Sequence, residues 1–247
     1  MVSFYAFCRV VDDIADDLIL TKQQKEEGLG IWKEGIANGF DDAGGLEGEI
    51  MALIERRGIP GELFVEIIDG VAMDLEKRRY RDFEELKTYC YRVACVVGLV
   101  SAEIFGYRNE ACRDYAVALG YALQVTNIMR DVWQDFDDDG RIYLPQADME
   151  RCGYSEEDLR GLVHDERFVA LMELQCERAE GFYAEADSLL PAEDRRSMCA
   201  AVIMRRVYGG ILEKMKRDRF RVFEKRYRLS RPRKLWIFAS STIGIGG

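Results

Sequence analysis

The sequence predicts an all-α protein formed by one domain. Apolar residues recur at helical spacing along most of the chain, and no segment alternates polar and apolar residues as a half-buried strand would. Near the start these apolar residues are Phe4, Phe7, Val11, Ile14 and Leu18. A chain of 247 residues that is 48% hydrophobic can bury a sizeable core. Because no internal repeat or long linker divides the chain, we expect a single helical bundle over residues 1–247.

Residues that begin and end helices support this assignment. Ser155 followed by Asp158 resembles a capping box, and Pro60 and Pro191 suit first-turn positions. The stretch NGFDDAGGLEG, residues 38–48, is rich in turn residues and predicts a loop. Within about three residues at each end, the expected helices span residues 1–18, 22–38, 47–57, 60–79, 82–106, 109–136, 155–161, 166–188 and 192–224.

Composition restricts the chemistry that is available. The seven cysteines are scattered and form no C-x-x-C pair, which indicates reduced thiols in a cytoplasmic protein rather than disulfides or zinc ligands. The one histidine, His164, lies in a polar stretch, which argues against a Ser-His-Asp triad and a histidine zinc site. No secretory signal is visible in MVSFYAFCR. Any chemistry must therefore use carboxylates, Arg, Lys, Tyr or a hard metal ion.

The net charge of −10 is unevenly distributed. Residues 214–247 carry about +9 and the rest of the chain about −19, and no nucleic-acid partner is expected. Residues 235–247 are largely apolar but too few to cross a bilayer, which takes about 20 residues. Basic residues precede them, so we expect the basic and apolar tail, residues 231–247, to contact an anionic membrane peripherally. A tail that packs on the bundle is the alternative.

The segment FYAFCRVVDDIADDLI places four aspartates in a helix that is otherwise apolar. Asp12 and Asp16 lie one turn apart on one face, and Asp13 and Asp17 form a second such pair. Like charges at this spacing destabilise a helix. A solvated acidic face is the ordinary explanation for one run of this kind.

A second segment, LQVTNIMRDVWQDFDDDGRIYLP, repeats the arrangement. Asn127, Asp131 and Asp135 follow one another at steps of four residues. Mg²⁺ prefers oxygen ligands and is often held by one or two carboxylates together with substrate phosphates. Arg9 in the first segment and Arg130 in the second provide donors for the negative charge of a leaving diphosphate. Two acidic helix faces therefore predict a magnesium and diphosphate site.

A calcium-binding protein is an alternative from another class. Residues 135–146 resemble an EF-hand loop, because five residues fit its first eight positions: Asp135, Asp137, Asp139, Gly140 and Ile142. Position twelve, however, holds Gln146 instead of a bidentate glutamate, and the hypothesis leaves the first aspartate segment unexplained.

Both aspartate segments resemble the aspartate-rich motifs of the squalene/phytoene synthase family. The stretches YCYRVACVVG and RRVYGGILEKM…RLSRPRKL extend the resemblance over nearly the whole chain. It implies an isoprenoid synthase bundle with a central cavity. It also implies an Mg²⁺-dependent prenyltransferase that joins two farnesyl diphosphates head to head into presqualene diphosphate, for squalene and hopanoids. A phytoene synthase that uses geranylgeranyl diphosphate in carotenoid biosynthesis is the alternative.

The resemblance also implies roles for individual residues. It assigns metal binding to Asp12, Asp16, Asn127, Asp131 and Asp135, and these four aspartates are catalytic together with Arg9 and Arg130. It places near the diphosphates Tyr5, Arg9, Gln124 and Arg130. It places along the cavity or beside the second motif Tyr89, Val93, Gly98, Arg141, Tyr143 and Tyr208. The apolar members of this set also fit plain core positions, and Arg141 also fits the cap of a helix end.

The sequence departs from the family pattern in two places. Cys95 stands where the family usually has a small glycine, which narrows the cavity or fills a gap in the core. The family has an N-terminal helix with a basic segment before the first aspartates, whereas this sequence opens inside that motif. We therefore expect a truncated or misplaced start, and an inactive scaffold subunit of the same fold is a further alternative.

Continuing the reaction to squalene would require a hydride from NADPH. The stretch GLGIWKEG contains glycines, but it lacks the preceding strand and the spacing of a dinucleotide-binding turn. NADPH is therefore expected only if the reaction passes beyond presqualene diphosphate.

Overall fold

A computed structural model describes residues 1–42 and 44–242, and these residues form a bundle of α-helices. This confirms the predicted fold class. Within the described residues, extended chain pairs only at the isolated bridge between Arg79 and Ile142. The α-helices are α1 Val2–Asp16, α2 Lys22–Asn38, α3 Gly45–Arg57, α4 Gly61–Met73, α5 Phe83–Cys90, α6 Val96–Phe105, α7 Ala111–Asp139, α8 Gln146–Arg151, α9 Glu156–Arg160, α10 Glu166–Leu189, α11 Cys199–Arg217 and α12 Arg231–Thr242.

The long helix α7 lies at the centre of the bundle and packs against α6, α10 and α11. A second apolar cluster joins α1 to α2, α3 and α4. There the Phe7 ring meets the Trp32 and Phe64 rings edge to face, each with centroids 5.3 Å apart. Burying such aromatic side chains is worth several kcal/mol, about 3 or more for truncation to alanine. This cluster anchors the apolar face of α1, so that the aspartates of α1 are held at a fixed position on the bundle.

A π-helical turn, Tyr91–Cys95, connects α5 to α6, so the predicted helix over 82–106 is nearly continuous. Neighbouring helices approach this turn closely. A Cβ atom on Gly120 of α7 would lie 2.6 Å from the Cα of Cys95, and one on Gly70 of α4 would lie 2.6 Å from the Cβ of Arg92. Only glycine permits these two contacts. Such π turns often accompany functional sites, because they shift side chains out of the regular helical register.

The helix predicted over residues 1–18 ends earlier than expected. The Asp17 side chain accepts the backbone N–H groups of Ile19 and Leu20, at 2.6 and 3.1 Å, which ends α1 at Asp16. Leu18 is exposed and does not join the core, contrary to the predicted apolar face. The Asp17 carboxylate thus accepts backbone N–H groups that would bind backbone carbonyls if the helix continued.

The helices predicted over 60–79 and 192–224 were too long. After α4 the chain extends from residue 78 to 81, where the Arg78 and Tyr80 carbonyls accept N–H groups from Ile142 and Gln146 at 3.0 and 2.8 Å. In the second case a 3-10 turn, Ala192–Asp194, precedes α11, and α11 stops before the positive φ of Arg219. Sequence periodicity also missed α8 and α12. The end of α4 depends on pairing between distant segments, which local patterns do not encode.

The capping box predicted at Ser155 is confirmed, with Asp158 as its partner. The predicted loop over 38–48 is shorter than expected, because α3 already begins at Gly45. Residue 43 of that loop and residues 243–247 of the predicted tail lie outside the described residues. One helical stretch, Phe83–Phe105, is apolar and long enough to cross a membrane, and it packs against α4 and α7 inside the bundle.

Candidate active site

A cavity of about 260 Å³ opens between α1, the end of α4, α5, α7 and the segment that follows α7. Its polar lining comes mainly from residues that the sequence singled out, and its apolar lining from small aliphatic side chains. The lining residues are Asp12, Ala15, Asp16, Val71, Asp74, Tyr89, Val93, Gln124, Arg141 and Tyr143. Seven of these ten were predicted as site residues, so the structure brings Asp12 and Asp16 to a common space with Gln124, Arg141 and Tyr143 of the second segment. The predicted ligands Asn127, Asp131 and Asp135 are not among the lining residues.

The four aspartates of α1 divide into two groups. Asp12 and Asp16 line the cavity, as their shared helix face predicts. Burial first, and then the neighbouring carboxylate of Asp16, raise the pKa of Asp12 to about 6. Asp13 instead accepts a bond from Arg9 at 2.7 Å on the exposed side of the helix, and Asp17 ends the helix. In the opening run, Asp12 and Asp16 thus face the cavity, whereas Asp13 binds Arg9 and Asp17 binds the backbone at the end of α1.

The second motif lies on the last three turns of α7. Asp131 is clamped between two arginines, with Arg130 Nε 3.0 Å from its Oδ1 and Arg226 Nε 3.0 Å from the same oxygen. Asp135, one turn further, lies in a narrow recess beside Tyr143. Burial first, and then the carboxylate of Asp131, raise the pKa of Asp135 to about 7. Asp131 itself faces a separate groove between α7 and residues 222–226.

Arg141 joins the two motifs. Its guanidinium donates to the Asp16 carboxylate of the first motif at 3.1 Å, and its Nε lies 2.8 Å from the Asp139 carboxylate at the end of α7. It also donates to the hydroxyl of Tyr143 at 3.2 Å. The simpler alternative, that Arg141 caps a helix end, therefore accounts for only part of its contacts.

The oxygen donors around the cavity fit a hard divalent cation. The Oδ1 atom of Asn127 is buried and has no hydrogen-bond partner, which is costly unless something binds there. Burial first, and neighbouring carboxylates second, raise the pKa values of Asp12 and Asp135, and a cation would relieve the repulsion between the carboxylates. Within residues 1–42 and 44–242, no three acidic, histidine or cysteine side chains already form a cluster that could hold a metal ion.

The remaining predicted residues lie away from the cavity lining. Tyr5 is exposed on α1, and Arg9 is occupied by Asp13. Gly98 packs on α7, where an added Cβ would lie 2.8 Å from the carbonyl oxygen of Ala116. The guanidinium of Arg130 stacks on the ring of Tyr208, with Arg130 Cζ 5.8 Å from the ring centroid. The position of Gly98 is thus explained by close helix packing, which sequence spacing cannot distinguish from a cavity wall.

Cys95 is fully buried and directs its Sγ toward the carbonyl of Val117, 3.2 Å away on α7. Of the two predicted effects, it fills a gap between helices and does not line the cavity described above.

Two functional candidates were missed by sequence reasoning. Asp74, the residue after α4, lines the cavity, and Arg226 binds Asp131 from 95 residues away. One signal for Asp74 was present, because it stands three residues after Val71 at the end of an apolar helix and shares its face. Arg226 lies a few residues before the basic and apolar tail and carried no local signal. Its contact with Asp131 forms only when the chain folds.

The structure also decides the calcium and dinucleotide alternatives. Asp135, Asp137 and Asp139 belong to α7, so alternate members project in different directions and cannot form an EF-hand loop. The stretch GLGIWKEG lies inside α2, without the strand and turn that a dinucleotide-binding motif needs.

Comparisons with known proteins identify the family of this chain. The family model described as squalene/phytoene synthase matches residues 1–233. The chain is 35% identical over 250 residues to a 15-cis-phytoene synthase of Synechocystis sp., which covers 94% of this chain and 73% of that protein. It is 32% identical over 238 residues to a presqualene diphosphate synthase of Zymomonas mobilis, which covers 96% of this chain and 81% of that protein.

Among solved structures, a squalene synthase from Alicyclobacillus acidocaldarius superposes with a TM-score of 0.76 at 28% identity. The match covers 88% of this chain and 82% of the other. The helical bundle is thus of the squalene synthase type. With a matching family model over nearly the whole chain, this protein belongs to the squalene/phytoene synthase family and is a prenyltransferase.

Proposed function

We propose that the protein condenses two farnesyl diphosphates head to head into presqualene diphosphate, with Mg²⁺ as cofactor. The observation that carries the proposal is the ion pair between Arg141 and Asp16, because it joins the two aspartate motifs across one cavity. The family supports head-to-head condensation of prenyl diphosphates in general. The choice of farnesyl diphosphate rests on the resemblance of VVDDIADD and of the late segment to presqualene-forming enzymes.

Groups in the cavity and on the neighbouring turns of α7 have parts in this reaction. Bound Mg²⁺ would neutralise the diphosphates and favour departure of one of them. Asp12, Asp16, Asn127, Asp131 and Asp135 would hold the metal. Arg130 would bind negative charge on the leaving group.

The product then follows from the substrate's own carbon skeleton. Loss of diphosphate from one molecule leaves an allylic cation, and the double bond of the second molecule attacks it. Loss of one proton closes the cyclopropane, so that two farnesyl diphosphates give presqualene diphosphate, diphosphate and a proton. Val71 and Val93 supply aliphatic lining that keeps water away from the cation.

Phytoene synthesis from geranylgeranyl diphosphate is the second candidate. The identity to a 15-cis-phytoene synthase, 35%, is slightly higher than the identity to a presqualene diphosphate synthase, 32%. Both substrates carry the same allylic diphosphate, so the aspartates serve either reaction. Cavity depth decides between the two, and it depends on side chains from several helices.

Incubation of the purified chain with each diphosphate and Mg²⁺, with and without NADPH, tests both candidates. Mass spectrometry of the products should show presqualene diphosphate from farnesyl diphosphate. Phytoene from geranylgeranyl diphosphate alone would move the protein to the second candidate. No condensed product from either substrate, with the helical fold intact by circular dichroism, would refute the proposed function and favour the inactive scaffold.

We further propose that α12 contacts an anionic membrane peripherally at the cytoplasmic face. One side of this helix packs on α11, where Arg206 donates to the Ser240 hydroxyl at 2.8 Å. The other side exposes Leu235 and Trp236, by 69% and 63%, beside basic residues. Both predicted arrangements of the tail, packing and membrane contact, are compatible with this helix. A membrane would receive a hydrocarbon-like product directly.

Flotation of the full chain with anionic liposomes tests this contact. Leu235→Asp should reduce the bound fraction several-fold, because it removes apolar burial and adds repulsion. Ile31→Asp, at an exposed apolar site on α2, is the matched control and should bind as the wild type does. Equal binding of all three proteins, or binding by none, would refute the role of α12.

A further inference from the structure

Asp74 binds two tyrosines at the wall of the cavity. The hydroxyl of Tyr89 donates to its Oδ2 at 2.9 Å, and the hydroxyl of Tyr143 donates to its Oδ1 at 2.8 Å. Arg141 Nη1 lies 3.4 Å from Oδ2. The side chain of Asp74 is only 13% exposed, and all three partners also line the cavity. One carboxylate at the end of α4 thus contacts groups from α5 and from the segment after α7.

These bonds fix the direction of both phenolic protons. A phenol has one proton to donate, and a carboxylate is a stronger acceptor than a second phenol. With both protons directed to Asp74, the oxygens of Tyr89 and Tyr143 offer lone pairs elsewhere, and the Tyr143 oxygen accepts from Arg141 at 3.2 Å. The two rings stack with centroids 5.0 Å apart. The wall therefore presents electron-rich rings and acceptor oxygens, with no free hydroxyl donor from these two residues.

Such a wall suits a cavity in which a hydrocarbon cation forms. Aromatic faces attract cations, by about 0.5–2 kcal/mol depending on desolvation. A third ring, Tyr80, lies 5.6 Å from Tyr89 and 5.8 Å from Tyr143 between centroids, which holds the pair from behind. The ring orientation and the proton direction both depend on the same carboxylate.

We propose that Asp74 is a positioning residue for the condensation, which acts by holding the Tyr89 and Tyr143 phenols with their protons directed at its carboxylate. The inference rests on the proposed function, because it assumes a cation formed from a prenyl diphosphate. Stability alone is a poor reason for this carboxylate. Burial raises the pKa of Asp74 to about 6, against the opposing effects of Arg141 and the two hydroxyl donors. Buried charges of this kind are weak contributors to folding.

Asp74→Asn tests the proposal, because asparagine keeps the shape but offers one acceptor oxygen and one donor nitrogen. It cannot accept both phenolic protons on two oxygens. We expect kcat to fall at least tenfold while KM for the diphosphate changes less than threefold. In a Tyr89→Phe/Tyr143→Phe background, the same substitution should cost less than threefold, because the hydroxyls on which it acts are gone. Should this background be unstable, each single tyrosine variant gives its own cycle.

Asp148→Asn is the matched control. Asp148 is another buried carboxylate, bound by Gln175 and Arg178 between α8 and α10, outside the cavity lining. Its substitution should lower the melting temperature but leave kcat per folded enzyme unchanged. Equal losses from Asp74→Asn with and without the tyrosine hydroxyls, or an unchanged kcat, would overturn the proposal.

A second readout does not need activity. In protein labelled with 3-fluorotyrosine, the ¹⁹F resonances of Tyr89 and Tyr143 are assigned by the two Phe variants. Asp74→Asn should shift both resonances, whereas Asp148→Asn should shift neither. If the wild type condenses no diphosphate, the proposed function fails even when the resonances shift. If it is active and the resonances of Asp74→Asn stay in place, the positioning role fails by itself.

Discussion

The two aspartate motifs have opposite surroundings. In the first motif, the Asp12 and Asp16 carboxylates on α1 repel each other, and Arg141 from the segment after α7 binds Asp16. The second motif has Asp131 held by two arginines, one from its own helix and one from residue 226. Under the proposed function, a cation that binds Asp131 would compete with two arginines, whereas one that binds Asp16 would compete with Arg141. Repulsion written in a local sequence pattern can be partly cancelled by a distant part of the chain.

The largest expected effects, on turnover and on stability, follow when each motif loses one carboxylate. Asp12→Asn and Asp131→Asn should each lower turnover by about 100-fold or more, as expected for loss of a group that holds charge at the reaction centre. Only Asp131→Asn should also destabilise the fold, because Arg130 and Arg226 lose their partner. This differs from an argument based on helix spacing alone, in which neither variant would cost stability. Product formation and urea unfolding measure the two effects.

Asp17→Asn is the control for these variants, because an asparagine oxygen can accept the same backbone bonds that end α1. Wild-type turnover in Asp12→Asn would refute the metal assignment of the first motif.

The two arginines beside the motifs should differ next. The Arg130 side chain is 14% exposed and pairs with Asp131, whereas Arg9 is 55% exposed and pairs with Asp13. Arg130→Gln should reduce the free energy of unfolding by about 2 kcal/mol, since Arg226 compensates only part of a buried pair. Arg9→Gln should cost less than about 0.5 kcal/mol. Denaturant titrations compare the two, and equal losses would show that burial does not separate the motifs.

A pH effect follows from the raised pKa of Asp135, which burial causes first and the Asp131 carboxylate second. The pKa of Asp135 is raised from an ordinary value near 4 to about 7, so the folded state binds a proton that the unfolded state has released. Stability of the metal-free protein therefore falls as pH rises between these values. Asp135→Asn removes that loss and should stabilise by about 1–2 kcal/mol at pH 8, but much less at pH 5. Urea unfolding in a chelator measures this.

Asp137→Asn, on the same helix but exposed, should change little at either pH. A gain from Asp135→Asn that is as large at pH 5 as at pH 8 would exclude the carboxylate's charge as its cause.

The smallest effect concerns the release of Asp131. Arg226 is exposed, so Arg226→Gln should cost less than about 1 kcal/mol of stability. If Arg226 competes with the cation, this variant should lower the Mg²⁺ concentration for half-maximal activity by about two- to fivefold. Arg228→Gln, two residues away and also exposed, should not. A higher Mg²⁺ requirement would instead mean that Arg226 binds the diphosphate directly.

These contrasts also mark what a sequence can reveal. Asp12, Asp16 and Asp135 could be predicted, because helical spacing puts the aspartates of each segment on one face of its own helix. The helical bundle was predicted from the same kind of periodicity. The partners of Asp74 and Arg226 could not be predicted, since they lie 15, 69 and 95 residues away. The predicted end of α4 failed for the same reason. The extension of α4 was cut short by hydrogen bonds to residues 142–147 that no local pattern contains.

The close approach of Gly70 and Gly120 to the π-helical turn limits how this protein can evolve. Tyr89 and Val93 are carried by a wall that cannot move outward, because α4 and α7 leave no space for even one methyl group beside it. A larger side chain at Gly70 or Gly120 would therefore displace the π-helical turn, and with it Val93 at the cavity lining. Selection on cavity shape can act through lining side chains while the backbone of this turn stays fixed.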